Sequence, residues 1–139
     1  MVANLNHRGL DQWTALHFAA NEGHFEVVKE LLKHVELEKS PISTINRTPV
    51  HLAAIRGHVD ILRALTSAGA LVESKDVDDN TPLHYASEYG HPDCIIFLVK
   101  EAQADVFVKN KFGLTPSDIA QNMRIRSLFD SLVPRQHRD

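Results

Sequence analysis

The chain has 139 residues, 43% apolar and 24% charged, with Lys+Arg 15 against Asp+Glu 18 and a formal net charge of −3. That length and composition belong to one ordinary soluble domain rather than a disordered tail, and so weak an acidic balance argues against nucleic acid or an anionic membrane surface as partner, since both reward a basic face. No stretch approaches the ~20 apolar residues of a bilayer span, MVANLNHRGL has no signal-peptide apolar run, and the one cysteine, Cys94, cannot close an internal disulfide; the expectation is an intracellular protein, cytoplasmic or nuclear.

Taken in order, the elements repeat. TALHFAANEGHFEVVKELL starts at Thr14, TPVHLAAIRGHVDILRALT at Thr48, TPLHYASEYGHPDCIIFLV at Thr81, and a degraded copy, TPSDIAQNMR, at Thr115. The spacings of 34, 33 and 34 residues define a fixed period. One extra residue falls in HVELEKSPIST after the first copy and one near Gln103, both expected between helices. Within each copy Thr is a good N-cap, and Pro at the next position, present in all but the first copy, suits a first helical turn. Apolar residues follow at helical spacing (Leu16, Ala19, Ala20; Leu83, Ala86), and Gly23, Gly57 and Gly90 close the short helix. A second, more amphipathic helix comes next (FEVVKELLKH, VDILRALTSA, PDCIIFLVKE), with Pro92 tolerated in its first turn. Turn formers such as Asp78-Asp79-Asn80 separate the copies. With aromatics at 6%, the core falls to Ala, Leu, Val and Ile, which suits closely packed helices.

The unit resembles the ankyrin repeat, whose T-P-L-H-x-A-A and G-H motifs recur over roughly residues 10–132. The resemblance implies an all-α solenoid of stacked helix-turn-helix units with hairpin-like connections. Its parts are repeats over 10–43, 44–76 and 77–110, a partial C-terminal capping repeat over 111–133, and a frayed tail over 134–139. Residues 1–9, with VANLNHRG, are similar to the tail of a preceding repeat, left as a remnant or kept as an N-terminal cap. RIRSLFDSL is expected to form a last amphipathic helix with Ile125, Leu128 and Leu132 inward, followed by a modest basic end that includes Arg135 and Arg138.

Six of the nine histidines fall on two repeat positions: His17, His51 and His84 in the motif, and His24, His58 and His91 after the glycine. A group repeated in every unit answers a need of the unit, whereas a catalytic site gathers different residue types once. The family likeness implies that the first set ties the N-cap Thr to neighbouring backbone and the second starts the second helix. A metal site wants ligands three or four apart on one helical face, with further Cys, His or carboxylate partners; here the pair is seven apart across a helix-ending Gly, and no CxxC exists. GxGxxG, GxxxxGK[ST] and GxSxG are absent as well. Cys94 reads as a buried small hydrophobe, and Asp118, where the motif has His, reads as a structural cap. No catalytic residue, metal or cofactor is assigned.

Function then falls to the positions that differ between copies, which in ankyrin-like repeats are the turn tips and the inner face of the first helix, lining a concave groove. Carried over position by position, these are Trp13, Arg47, Asn80 and Leu114 before each Thr; Asp11, Ile45, Asp78 and Phe112 nearer the tip; and Asn21 and Glu22, Ile55 and Arg56, Glu88 and Tyr89 before each Gly. Asn122 and Met123 hold the last pair in the degraded copy. The expected partner is a protein or peptide bound by a monomeric domain, with Trp13, Arg47, Arg56 and Tyr89 as strongest contributors, because Trp, Tyr and Arg dominate binding hot spots. At the turn position that usually holds Gly stand Gln12, Asn46 and Asp79; Gln tolerates the left-handed backbone least, so the first turn is expected to differ.

Overall fold

Each motif Thr starts a helix by the same reciprocal contact. Thr14, Thr48 and Thr81 accept the backbone N–H of His17, His51 and His84 on their hydroxyls, while the His ring accepts the Thr N–H in return. The structure, a computed structural model describing residues 4–34 and 36–133, has seven α-helices, three of them begun this way, and contains no strand among those residues. They are α1 Ala15–Glu22, α2 Phe25–Leu32, α3 Pro49–Arg56, α4 Val59–Ser67, α5 Pro82–Glu88, α6 Pro92–Ile96, which runs on as a π-wound turn Phe97–Glu101, and α7 Met123–Leu132. The basic, fraying tail expected over 134–139 lies outside the described residues. None of these helices is long and apolar enough to cross a membrane.

First helices α1, α3 and α5 stack side by side in one layer, and α2, α4 and α6 form the second. Leu16, Val50 and Leu83 from the first layer meet Val28, Ile61, Leu62, Leu65, Ile95 and Leu98 from the second, all buried. Each such side chain is worth about 1.5–3 kcal/mol when removed from water. Ala19, Ala20, Ala53, Ala54 and Ala86 keep the layers close. Gly23 and Gly57 end α1 and α3 at φ +79, a left-handed backbone that releases the chain into the next helix.

The connections are hairpin-like turns with the same internal bonds. Ser43 N donates to Arg47 O at 2.9 Å and Asp76 N to Asn80 O at 3.1 Å, with Asn46 and Asp79 left-handed at φ 62 and 60. Successive tips are bonded to each other: Thr44 N to Asp11 O at 2.9 Å, Val77 N to Ile45 O at 3.0 Å, Lys111 N to Asp78 O at 3.0 Å. The first turn does differ. Asp11 and Gln12 are both left-handed, at φ 56 and 62, within a 3-10 turn over Leu10–Gln12.

Two expectations need correction. The extra residue of copy three is not lodged between helices. Gln103, left-handed at φ 55, holds the place of Gly69, and the added residue is absorbed upstream in the π-wound turn, where Ala102 N reaches Phe97 O. The degraded copy does not form a first helix; Thr115 to Ala120 make hydrogen-bonded turns only. Asn122 and Met123 therefore do not end such a helix: Asn122 N-caps α7 through Ile125 N at 3.1 Å, and Met123 opens it. Of α7, Ile125 and Phe129 are buried, with Leu128 and Leu132 partly so.

Candidate protein-recognition surface on the turn-tip side

The histidines are scaffold. His51 Nδ1 accepts from Thr48 N at 3.1 Å and Nε2 donates to Asn80 O at 2.8 Å, in the next copy. His17 repeats this with Thr14 N (3.0 Å) and Arg47 O (2.8 Å), and His84 with Thr81 N (3.1 Å) and Leu114 O (2.9 Å). A ring that accepts at one nitrogen and donates at the other is neutral. Burial lowers all three from the usual histidine range, His51 to about 4. In the last copy Asp118 makes the inward half alone, accepting from Thr115 N at 2.9 Å; that bond holds its carboxyl below the usual range.

The second set reaches backwards. A Cβ on Gly23 would stand 2.8 Å from the His58 ring, and one on Gly57 only 2.6 Å from His91 Nδ1, whose Nε2 donates to Ile55 O at 2.8 Å. Gln121 takes that place against Gly90, bonding Tyr89 O at 3.2 Å. Each Gly is thus a docking spot for the next copy, beyond its role in the turn.

On the varied positions the structure separates support from surface. Arg47 is half-buried, lies 4.8 Å over the Tyr85 ring, donates to Tyr85 Oη at 2.9 Å and pairs with buried Asp76 at 3.5 Å. Burial opposes its charge, but the Tyr85 bond and Asp76 more than offset that and raise its pKa. Asn80 is buried; its amide meets Tyr85 Oη at 3.4 Å and Asn110 Nδ2 at 2.9 Å, which removes it from the accessible surface. Trp13 is half-buried, stacked on His17 at 5.8 Å and edge-on to Phe18 at 4.8 Å. Asn21 accepts from Arg56 Nε at 3.1 Å and donates to Glu22 at 2.9 Å, fixing the exposed Arg56 and Glu22. Ile55 is half-buried, and Glu88 is exposed.

What stays open is largely apolar: Tyr89, Phe112 and Leu114, together with Ile45 and Val77 at the tips. Asp78 is paired with Lys111 at 2.9 Å, and that ammonium sits 5.4 Å over the Phe112 ring. Val77 and Lys111 occupy a tip position one residue earlier than those chosen from the sequence. The signal was there, since Leu10, Thr44, Val77 and Lys111 also differ between copies. Between the first two tips lies a depression of about 330 Å³ lined by Asp11, Trp13, Ser43, Thr44, Ile45 and Arg47. Among the described residues no three His, Cys, Asp or Glu side chains converge as metal ligands. Cys94 is fully buried, its thiol pushed up to about 12 by that burial.

A family model of ankyrin repeats in three copies matches residues 2–76 and 40–110. The chain belongs to the ankyrin-repeat family. It is similar to the target of rapamycin complex 2 subunit AVO2 of Saccharomyces cerevisiae (27% identity, 86% of this chain and 29% of that protein). It is also similar to the mitochondrial liver isoform of glutaminase from Rattus norvegicus (30%, 83% and 19%) and to the tyrosine-protein kinase HTK16 of Hydra vulgaris (30%, 96% and 18%). The ankyrin-repeat chain spans less than a third of each of these relatives, and ankyrin repeats in general are protein-interaction modules.

Proposed function

We propose that this ankyrin-repeat chain is a non-enzymatic recognition module that binds a protein or peptide along the turn tips and first helices. The observation that carries the reading is the row of exposed side chains Ile45, Val77, Tyr89, Phe112 and Leu114 on a backbone tied tip to tip. Large apolar groups held on a rigid frame bury area while losing little conformational freedom. Arg56 and Glu88 at the helix ends add polar selectivity. A partner binding here needs neither metal nor cofactor, and the module works in the cytoplasm or nucleus as a monomer.

The test is site-specific photo-crosslinking in extract of the source cells. Benzoylphenylalanine replaces Tyr89 or Phe112 on the turn-tip side, or Lys29 on α2, away from it. A protein labelled from 89 and 112 but not from 29, and lost when Arg56→Ala and Ile45→Ala are added, supports the reading. Labelling only from 29 refutes it.

A second reading, that the chain serves as a targeting or regulatory segment of a larger multidomain protein, is favoured by the small share of each relative that it spans. Both readings use the same surface.

A further inference from the structure

Residues 4–9 occupy the place that later copies give to the tail of a repeat. Asn6 N donates to Asn4 Oδ1 at 3.0 Å, as Phe107 N does to Asp105 Oδ1 at 2.9 Å. Asn6 Oδ1 then accepts from Glu38 N at 2.8 Å, matching Ser40 Oγ with Leu71 N (2.9 Å) and the Glu73 carboxylate with Asp105 N (2.9 Å). Arg8 fastens the same segment to the following loop through Ile42 O at 2.7 Å.

The face beside that tail has the chemistry of an interface inside the stack. Ala15, Phe18 and Val27 hold the positions of Pro49, Leu52 and Ile61 in copy two, and of Pro82, Tyr85 and Cys94 in copy three. Those six are buried where a copy stands in front of them; Ala15 is exposed, and Phe18 and Val27 are 51% and 48% exposed. A depression of about 360 Å³, lined by Leu5, His7, Trp13, Ala15 and Phe18 among others, separates the tail from α1. The polar partners follow the same pattern. The carbonyls of Arg47, Asn80 and Leu114 each accept from the ring of the copy before, while Trp13 O, in the same position, accepts only Gly9 N among the described residues. His24 stands where His58 and His91 pack on the glycine of the preceding copy. The other end contrasts with this one: α7 turns Arg124, Arg126, Ser127 and Ser131 outward, the polar face that a terminal repeat needs.

We propose that the front face of the first copy takes one further helix pair of the same repeat class, joined covalently to residues 4–9. The occupant's chemistry follows from the contacts it completes: a glycine after its first helix to receive the His24 ring, and a motif histidine whose Nε2 donates to Trp13 O. The proposal concerns the stacking face, so it stands or falls separately from the turn-tip reading.

The test places a second copy of residues 43–70 directly before Asn4, so that residues 4–9 follow a helix pair in register. The extended chain is expected to unfold in one urea transition with a higher midpoint. Its slope should be about a fifth steeper, in proportion to 28 added residues on 139, and Trp13 emission should shift to the blue. Phe18→Glu should cost the 139-residue chain no more than that ring's edge contact with Trp13, because the ring is already half in water, yet abolish the gain of the extended chain; its own 139-residue form is the reference for Trp13 emission. An added pair that melts separately, or that leaves Trp13 emission unmoved, overturns the proposal. Sedimentation of the 139-residue chain checks the competing occupant: a dimer that Phe18→Glu dissolves would assign the face to a second copy and overturn it too.

Discussion

Lowering the pH should unfold this ankyrin-repeat domain through its histidines before its carboxylates, and His51 sets the scale. Its ring is fully buried, accepts Thr48 N at Nδ1 and donates to Asn80 O from Nε2. A proton on Nδ1 would face the Thr48 N–H and lose that bond. Burial, the largest cause, takes the ring from 6.5 to about 4 in the folded chain. The folded pKa lies below the unfolded one, so the unfolded chain binds more protons. The stability is therefore complete above pH 6.5 and is lost as pH falls through 4. At about 1.4 kcal/mol per pH unit, His51 alone accounts for about 3 kcal/mol, against a typical total of about 5–15 kcal/mol. His17 and His84, also lowered, steepen the same limb. Urea midpoints measured from pH 7.5 to 4.5, wild type beside His51→Gln, check this. The variant starts less stable but should lose about 1.4 kcal/mol less per pH unit within the window. Parallel profiles, or a His51 ring that titrates near 6.5 by NMR, would refute the reasoning.

Three further outcomes are expected. Gly57→Ala should cost about 2–3 kcal/mol by thermal melting, since φ is +79 and the new Cβ would stand 2.6 Å from the His91 ring, whereas Gly69→Ala, with nothing within 4 Å, should cost about 1 kcal/mol from backbone strain alone. Arg47→Ala should destabilise by about 1–3 kcal/mol, because it leaves buried Asp76 without its cation, while Arg56→Ala should stay within about 0.5 kcal/mol; equal effects in urea melts would contradict the division between clamp and surface. Cys94 should react with a disulfide reagent only as fast as the chain opens, so its rate should rise with urea; rapid reaction in buffer would show an accessible thiol.

The fold was legible because every local signal agreed. Thr at the cap, alanines on one face and Gly at the end specify the same helix three times in register, with Pro in the first turn of the second and third. The scaffold role of the histidines was legible for the same reason. The site was legible only as a set of varying positions. Arg47 and Trp13 carry the residue types of binding hot spots, yet Arg47 is held by Tyr85 and Asp76 and Trp13 by His17 and Phe18. Tyr85 lies 38 residues from Arg47, at a motif position that reads as plain core, and nothing local announces the pairing. The lost helix of the last copy was hidden likewise. TPSDIA keeps the helix-start pattern, but Gln121 must reach Gly90 from only six residues after Thr115, where His91 follows Thr81 by ten. One helical turn had to go.

The sequence by itself determined the helix pairs of the three full copies and that the copies stack, because those choices rest on contacts within a few residues repeated at a fixed period. Only the tertiary structure decided which varied side chains are free. Exposure of Tyr89 and Phe112, burial of Asn80 and the open face at Phe18 depend on what the neighbouring copy covers, and contacts between copies join residues about 30 apart, beyond the reach of local pattern.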